Sequence, residues 1–335
     1  DLRFDGLAHA VVLRSPHGHA RIRSIEIEAA RHAPGVLVVL TAADVDADGL
    51  KPFRPYGETN TQTGEPFAFI PQPLLATDKV RFVGEPVALV VAETRAQALD
   101  AAELVVVDYD ALPAVTTAEA ARAAGAPQLA TDIPGNTCLD WQTGDSVAVD
   151  KAFGAAAHIV SLTLGNHRVV ANPMEPRGTV GSFDAATGRY TLHVSSQNIH
   201  INRTFVARSL AVDPSRVRFV APDVGGGFGA KNFAYVEHAL ILWAARRTGR
   251  TVKWIASRSD VFLSDHAARD MQAEAALALD AEGRFLALRI ASIANLGAYM
   301  IGVGGSLLSN QYIQLQGSVY RIPAIALRVT AVVTN

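Results

Sequence analysis

Asp223-Val224-Gly225-Gly226-Gly227-Phe228-Gly229-Ala230-Lys231 lies between a predicted strand at 217–220 and a segment with helical spacing from about 233 to 248. Four of the five residues 225–229 are glycines. They let the backbone take φ > 0 and come close to a ligand, and successive N–H groups can then face one concavity. A helix starting directly afterwards adds unpaired N–H groups and the positive end of its dipole, which suits an anion. Two familiar nucleotide motifs fail here. A phosphate loop needs Gly before the Lys and Ser or Thr after it, where this chain has Ala230 and Asn232. The dinucleotide spacing G-x-G-x-x-G is not met by 225–229 followed by Ala230. A tight structural turn competes with a ligand loop, although a Phe embedded among glycines is unusual for a turn alone.

Working upstream, Ser195-Ser196-Gln197-Asn198 closes a predicted strand at 190–195 and precedes a predicted helix at 199–210. Gln197 can therefore present its amide at a strand tip, and helix capping by the same cluster is an equal alternative. Pro173-Met174-Glu175-Pro176-Arg177-Gly178 holds a carboxylate and a guanidinium between prolines and reads first as a salt-bridged loop. His17 and His19 have no third ligand nearby, and the Pro16 and Gly18 around them mark a turn, so metal ligation is set aside. No Gly-x-Ser-x-Gly, His-Glu-x-x-His or Cys-x-x-Cys motif occurs.

The chain of 335 residues is 49% hydrophobic and 19% charged, with a formal net charge of −2. That length predicts two domains with cores of their own. The composition excludes disorder and lacks the basic excess of a nucleic-acid binder. Cys138 is the only cysteine, so neither an intrachain disulfide nor a four-thiolate iron–sulfur cage is available. A redox metal would be held by something other than cysteine, or its clusters would sit on another chain. The longest apolar runs, 87–92 and 239–245, fall short of the roughly 20 residues of a membrane helix, and no signal-peptide pattern opens the chain. Starting just before one strand and ending just after another, the sequence reads as a fragment, a processed chain or one piece of a split protein.

Strands are expected at 7–13, 21–27, 36–40, 79–83, 86–91 and 105–109, with a long loop at 49–73. A helix is expected at 94–104, opened by a Thr94/Gln97 capping box. This α/β unit ends near 115. An Ala-rich helical piece at 116–140, broken at Pro134-Gly135-Asn136, leads to strands at 158–164, 178–183, 190–195, 217–220, 251–256 and 325–333. A hairpin at 271–278 and 285–293 turns at Asp280-Ala281-Glu282-Gly283. The fold class is α+β.

Six segments occur together and in a fixed order: residues 14–22, 81–88 and 109–113, then Met174-Glu175-Pro176-Arg177-Gly178, Ser196-Gln197-Asn198 and the loop 225–231. In this the chain resembles the molybdenum hydroxylases, the large subunits of xanthine dehydrogenase, aldehyde oxidase and carbon monoxide dehydrogenase, over essentially its whole length. The resemblance implies an α/β hammerhead domain at 1–117, a linker at 118–140 and the first of two molybdopterin-binding domains at 141–335, with the second absent. It also implies part of a catalytic subunit that oxidises aldehydes or N-heterocycles with water as oxygen source.

Residue by residue, Gln197 matches the family glutamine whose amide lies beside an oxygen ligand of molybdenum. Phe228 matches the residue whose backbone N–H approaches the metal's oxo group, and Gly226, Gly227 and Gly229 let the loop close over the pterin. Asn232 stands where purine-oxidising members carry a substrate-recognising Glu, which argues against a xanthine-type substrate. The metal is held by the cofactor's dithiolene sulfurs, with no direct protein ligand, and the catalytic Glu lies downstream of this chain. The implied cofactors are molybdenum–molybdopterin in its cytosine dinucleotide form, with 2Fe-2S and FAD on partner subunits. The implied partners are the remaining C-terminal molybdopterin-binding domain, those two subunits and a small-molecule substrate, with no nucleic acid and no membrane span. A cytoplasmic location is expected, with periplasmic export left open. The alternative is a catalytically silent scaffold or assembly fragment that binds the missing C-terminal half. A phosphate-loop nucleotide hydrolase is a third reading, weakened by Ala230 and Asn232.

Overall fold

The computed structural model describes residues 2, 4–60, 63–311 and 316–335. Its strands are β1 (Ala8–Arg14), β2 (Ala20–Glu26), β3 (Val36–Leu40), β4 (Lys79–Val80), β5 (Pro86–Ala92), β6 (Val106–Ala111), β7 (Thr137–Gly144), β8 (His158–Asn166), β9 (Gly178–Asp184), β10 (Arg189–Val194), β11 (Val217–Val220), β12 (Val252–Ile255), β13 (Met271–Leu279), β14 (Phe285–Asn295) and β15 (Ala324–Val332). Its main helices are α1 (Glu28–Arg31), α2 (Ala42–Ala47), α3 (Arg95–Glu103), α4 (Ala118–Arg122), α5 (Ser146–Ala155), α6 (Ile199–Ser209), α7 (Val236–Thr248) and α8 (Arg258–Ser264).

The chain divides into two compact units. The first comprises Asp1–Phe53, Pro71–Pro113 and Val170–Ala267. It contains a seven-stranded sheet in the order β11-β10-β9-β12-β1-β5-β3 and a three-stranded sheet β4-β2-β6. The seven-stranded sheet crosses a long break in sequence: β1 pairs parallel with β12 through Ala8 and Val252. All seven residues of β5 are buried, as expected of an unbroken apolar run inside a sheet. Residues 236–245 of α7 are buried throughout, and the helix lies close against β9. A Cβ added to Gly181 would come 3.0 Å from the Ile241 side chain and 3.2 Å from its backbone.

An ionic cluster crosses the same unit. Arg177 is 2% exposed and pairs with Glu237 at 3.0 Å and Asp265 at 2.5 Å. Arg14 of β1 reaches Glu237 and Asp260 at 2.7 Å each. The Arg177 guanidinium also lies 3.7 Å from the Tyr235 ring centroid, a cation–π contact. Removing one partner from a buried cluster of this kind costs about 3–5 kcal/mol, because the remaining charge is left uncompensated.

The second unit comprises Arg54–Ile70, Ala114–Val169 and Ala268–Asn335. Its five-stranded sheet runs β7-β15-β14-β13-β8. The β13–β14 hairpin forms where the sequence places it, and Asp280 Oδ1 accepts hydrogen bonds from the Glu282 and Arg284 N–H groups in its turn. Within 116–140 the structure departs from an Ala-rich helix. Only Ala118–Arg122 is α-helical there, with one 3-10 turn at Pro134–Asn136, and β7 and α5 follow. Cys138, Leu139 and Trp141 of β7 are buried and the strand pairs with β15, so long-range pairing overrides local helix propensity. The helix α8 is also absent from the sequence reading.

Candidate functional site

β10 ends at Val194, and the next four residues turn the chain into α6. Ser196 is buried and its hydroxyl accepts from Asn198 N (3.2 Å) and Asn202 Nδ2 (3.0 Å). Asn198 caps α6, with Oδ1 accepting from Ile201 N at 3.4 Å. The capping role therefore falls to Asn198, and Gln197 is left exposed. Its N–H donates to the Lys231 carbonyl at 2.9 Å and its Oε1 accepts from Gly229 N at 3.0 Å. With Oε1 fixed in this way, Gln197 Nε2 is the outward donor and has no partner among the described residues.

The glycine loop is held from three sides. Glu175 Oε2 accepts from Gly225 N and from Lys231 Nζ, both at 2.8 Å, while Glu175 N donates to the Gly225 carbonyl at 3.1 Å. One carboxylate thus ties both ends of the loop. Tyr235 Oη donates to the Ala230 carbonyl at 2.7 Å and accepts from His266 N at 3.1 Å. Gly226 and Gly229 have φ of 95° and 91°. A Cβ on Gly227 would come 2.5 Å from Gln197 Cδ, and one on Gly225 would come 2.6 Å from Glu175 Cβ. These glycines are needed both for backbone sign and for close approach.

Phe228 is 77% exposed with φ of 50°. A non-glycine residue in this region carries about 1–2 kcal/mol of strain, and such strain gathers at functional sites. The Gly227 and Phe228 N–H groups have no hydrogen-bond partner among the described residues. Together with Gln197 Nε2 they make a set of three neutral donors. Asn232, half-buried, follows at the end of the loop and donates from its N–H to the Gly229 carbonyl at 3.1 Å.

Burial pushes the Glu175 carboxyl up, but the hydrogen bonds from Lys231 and Gly225 N and the Lys231 charge together leave it below the usual carboxylate range. The Lys231 side chain is fully buried and taken by this pair, so it cannot grip a nucleotide phosphate. The loop accordingly suits a ligand with partly charged oxygens better than a polyphosphate.

The helix expected directly after the glycines is displaced. Ala230–Asn232 form one 3-10 turn, Phe233 and Tyr235 are extended, and α7 begins at Val236. Packing fixes this break: the Tyr235 ring stacks on His266 with centroids 4.0 Å apart. The α7 dipole is therefore not applied at the glycines themselves. Glu175 and Arg177 do form ion pairs, each with a residue distant in sequence, Lys231 and Glu237. Glu175, Lys231 and Tyr235 together build the loop, a role that no local pattern around Glu175 or Tyr235 signals. Its only local hint was a lysine immediately after the glycine cluster. His19 Nδ1 lies 2.7 Å from the Pro113 carbonyl and His17 packs on Tyr109. Among the described residues no group of three His, Cys, Asp or Glu side chains forms a metal site. Cys138 is buried, which pushes its thiol up to about 12, so it is no thiolate ligand.

The sequence profile of the molybdopterin cofactor-binding domain matches residues 129–335, and that of the aldehyde oxidase and xanthine dehydrogenase a/b hammerhead domain matches residues 1–113. The carbon monoxide dehydrogenase large chain of Hydrogenophaga pseudoflava is 34% identical, over 100% of this chain and 42% of its own length. The nicotine 6-hydroxylase large subunit of Paenarthrobacter nicotinovorans is 36% identical, over 89% of this chain and 36% of its own. The crystal structure of quinoline 2-oxidoreductase from Pseudomonas putida 86 matches with a TM-score of 0.91 at 37% identity, covering 100% of this chain and 42% of that one. The chain thus spans less than half the length of these relatives.

Proposed function

The chain belongs to the molybdopterin-binding large subunits of the aldehyde oxidase and xanthine dehydrogenase family, and on that premise we propose that it supplies one wall of a molybdenum hydroxylase active site. The observation that carries this reading is the donor set around the glycine loop, Gln197 Nε2 and the N–H groups of Gly227 and Phe228, left without partners among the described residues. When bound, molybdenum–molybdopterin supplies two-electron oxidation of the substrate with oxygen derived from water.

The residues present fit that group. Gln197 Nε2 and the Phe228 N–H would donate to its oxygen atoms, and the Glu175–Lys231 pair fixes where those donors point. Gly226, Gly227 and Gly229 keep the loop free of side chains, so that it can lie against a flat ring system. Asn232 would face the substrate side, where an amide recognises a neutral small molecule rather than the purine that a carboxylate would select. The proton-abstracting carboxylate is assigned outside this chain.

Hammerhead (1–117), linker (118–140) and first molybdopterin-binding domain (141–335) are the segments in which we read the chain. The cytosine dinucleotide form of the cofactor, and 2Fe-2S and FAD partner subunits, belong to the same reading. These 335 residues, with one buried cysteine, offer no thiolate set for a cluster, and on this reading electrons leave through iron–sulfur and flavin groups on partner chains or fused domains. Substrates are aldehydes or N-heterocycles. Among the described residues no helix is long and apolar enough to cross a membrane. A cytoplasmic location belongs to the same family reading, with periplasmic export left open. In the complete enzyme, Gln197→Ala should lower turnover by about 10²-fold, the scale of losing one positioned donor, and Phe228→Asp should lower it strongly by placing a carboxylate beside the remaining donors. Unchanged kinetics in both variants would overturn the assignment.

A further inference from the structure

We propose that the chain carries a second, separate site that binds a tetrahedral oxyanion, a phosphate ion or a terminal phosphoryl group. A cavity of about 110 Å³ is lined by Arg189, His200, Arg203, Ser215 and Arg218 over an apolar floor that includes Phe219. None of the residues assigned to the cofactor lines it. The volume has room for one small ion with a few waters, so the remainder of any larger ligand stays outside.

The charges make this cavity unlike the other arginine clusters of the chain. Arg14 and Arg177 share Glu237, and Arg246 and Arg247 share Asp48. By contrast, Arg189, Arg203 and Arg218 take part in no ion pair among the described residues, and no carboxylate lines the cavity. The nearest candidates are occupied elsewhere. Asp184 lies opposite Arg189 in the sheet, but its oxygens accept from Thr187 Oγ1 (2.6 Å) and Ala186 N (2.9 Å). Asp213 accepts from Ser215 N at 2.8 Å, closing the turn at Pro214–Arg216.

Arg203 adds an independent sign. Its Nε is buried without a hydrogen-bond partner among the described residues. A buried donor left unsatisfied costs about 1–3 kcal/mol, and in a native fold such a group points to an ion or water that completes it. Guanidinium forks match the geometry of tetrahedral oxyanions, and they hold their charge at every relevant pH. Ser215 contributes a hydroxyl, and His200 a ring N–H. An oxyanion held by these guanidinium groups would compensate the Arg203 charge and neutralise the cluster in one step. The inference does not depend on the proposed hydroxylase activity.

The test titrates the purified full chain with inorganic phosphate in a phosphate-free buffer, against sodium chloride at matched ionic strength. Binding is followed by calorimetry and by Tm. The expected result is saturable binding with a rise in Tm that chloride does not reproduce, weakened at least tenfold by Arg203→Gln and by Arg218→Gln. Arg189→Gln, at an exposed position, should weaken it likewise and serves if the Arg203 variant fails to fold. Arg284→Gln, outside the cavity and 77% exposed in its side chain, should change nothing. Adenosine monophosphate binding tenfold more tightly than phosphate identifies a phosphoryl-bearing ligand, and equal affinities identify the free ion. The proposal is overturned if chloride reproduces the effect, or if an Arg203→Gln/Arg218→Gln double variant that remains folded binds phosphate as tightly as the wild type.

Discussion

At Gly227 the structure leaves space for a hydrogen and nothing larger, because a methyl would sit 2.5 Å from the Gln197 amide carbon. Gly227→Ala must therefore displace Gln197 and should cost about 1–3 kcal/mol, read as a lower denaturant midpoint. Gly229→Ala makes a sharp comparison. No atom lies within 4 Å of its added Cβ, so only the φ of 91° counts against it, about 1–2 kcal/mol, and Gln197 is not pushed. If the two variants affect the Gln197 environment equally, as followed by its side-chain NMR signals, the steric argument fails. Glu175→Gln leaves the buried Lys231 ammonium without its counter-charge. The expected loss is about 1–3 kcal/mol, below that of a fully buried pair because the Glu175 side chain is 40% exposed. Since the folded-state carboxyl lies below its usual 4.5, the clamp is fully present above that pH and is lost as pH falls through the lowered value. The place of Gln197 just past a strand end and the loop formed by the glycines were legible in the sequence because those signals are local. The Glu175 clamp was not, since its partner stands 56 positions away.

At the scale of elements, α3 was legible almost to the residue. It spans Arg95–Glu103, and Thr94 and Gln97 form its capping box, because capping chemistry is local. β8 was legible as a strand but not in its exposure. Val160, Leu162 and Leu164 alternate as a buried face would, yet all nine residues from His158 to Asn166 are exposed and the strand ends its sheet. An uncharged apolar edge invites pairing with other chains. Leu162→Lys should raise the concentration at which the isolated chain aggregates, read by light scattering; an unchanged threshold would exonerate the edge. Beside α7, burial first and the Arg177 charge second push His238 and His266 down to about 3. An imidazole that stays neutral when folded and titrates near 6.5 when unfolded adds stability that is complete above 6.5 and is lost as pH falls toward 3. Each contributes a slope of up to about 1.4 kcal/mol per pH unit in that window. His266→Gln should flatten the urea-midpoint profile between pH 6.5 and 4, and a profile as steep as the wild type's would contradict the burial argument.

For the molecule as a whole, the order of motifs was legible and the sheet that unites them was not. No local pattern tells β1 that its parallel neighbour is β12, or Arg14 that its partner is Glu237. That cluster joins the N-terminal segment to the 170–267 segment within one unit. Glu237→Leu, which leaves both Arg14 and Arg177 short of a counter-charge, should cost about 3–5 kcal/mol and lower the thermal transition of that unit. Gln197 and the glycine loop are proposed to face the molybdenum of a bound cofactor, and a crystal of the complete enzyme measured at the molybdenum absorption edge tests this placement. One anomalous peak is expected beside the Gln197 amide and the Phe228 N–H; a molybdenum peak elsewhere in the enzyme, away from both, would refute the placement.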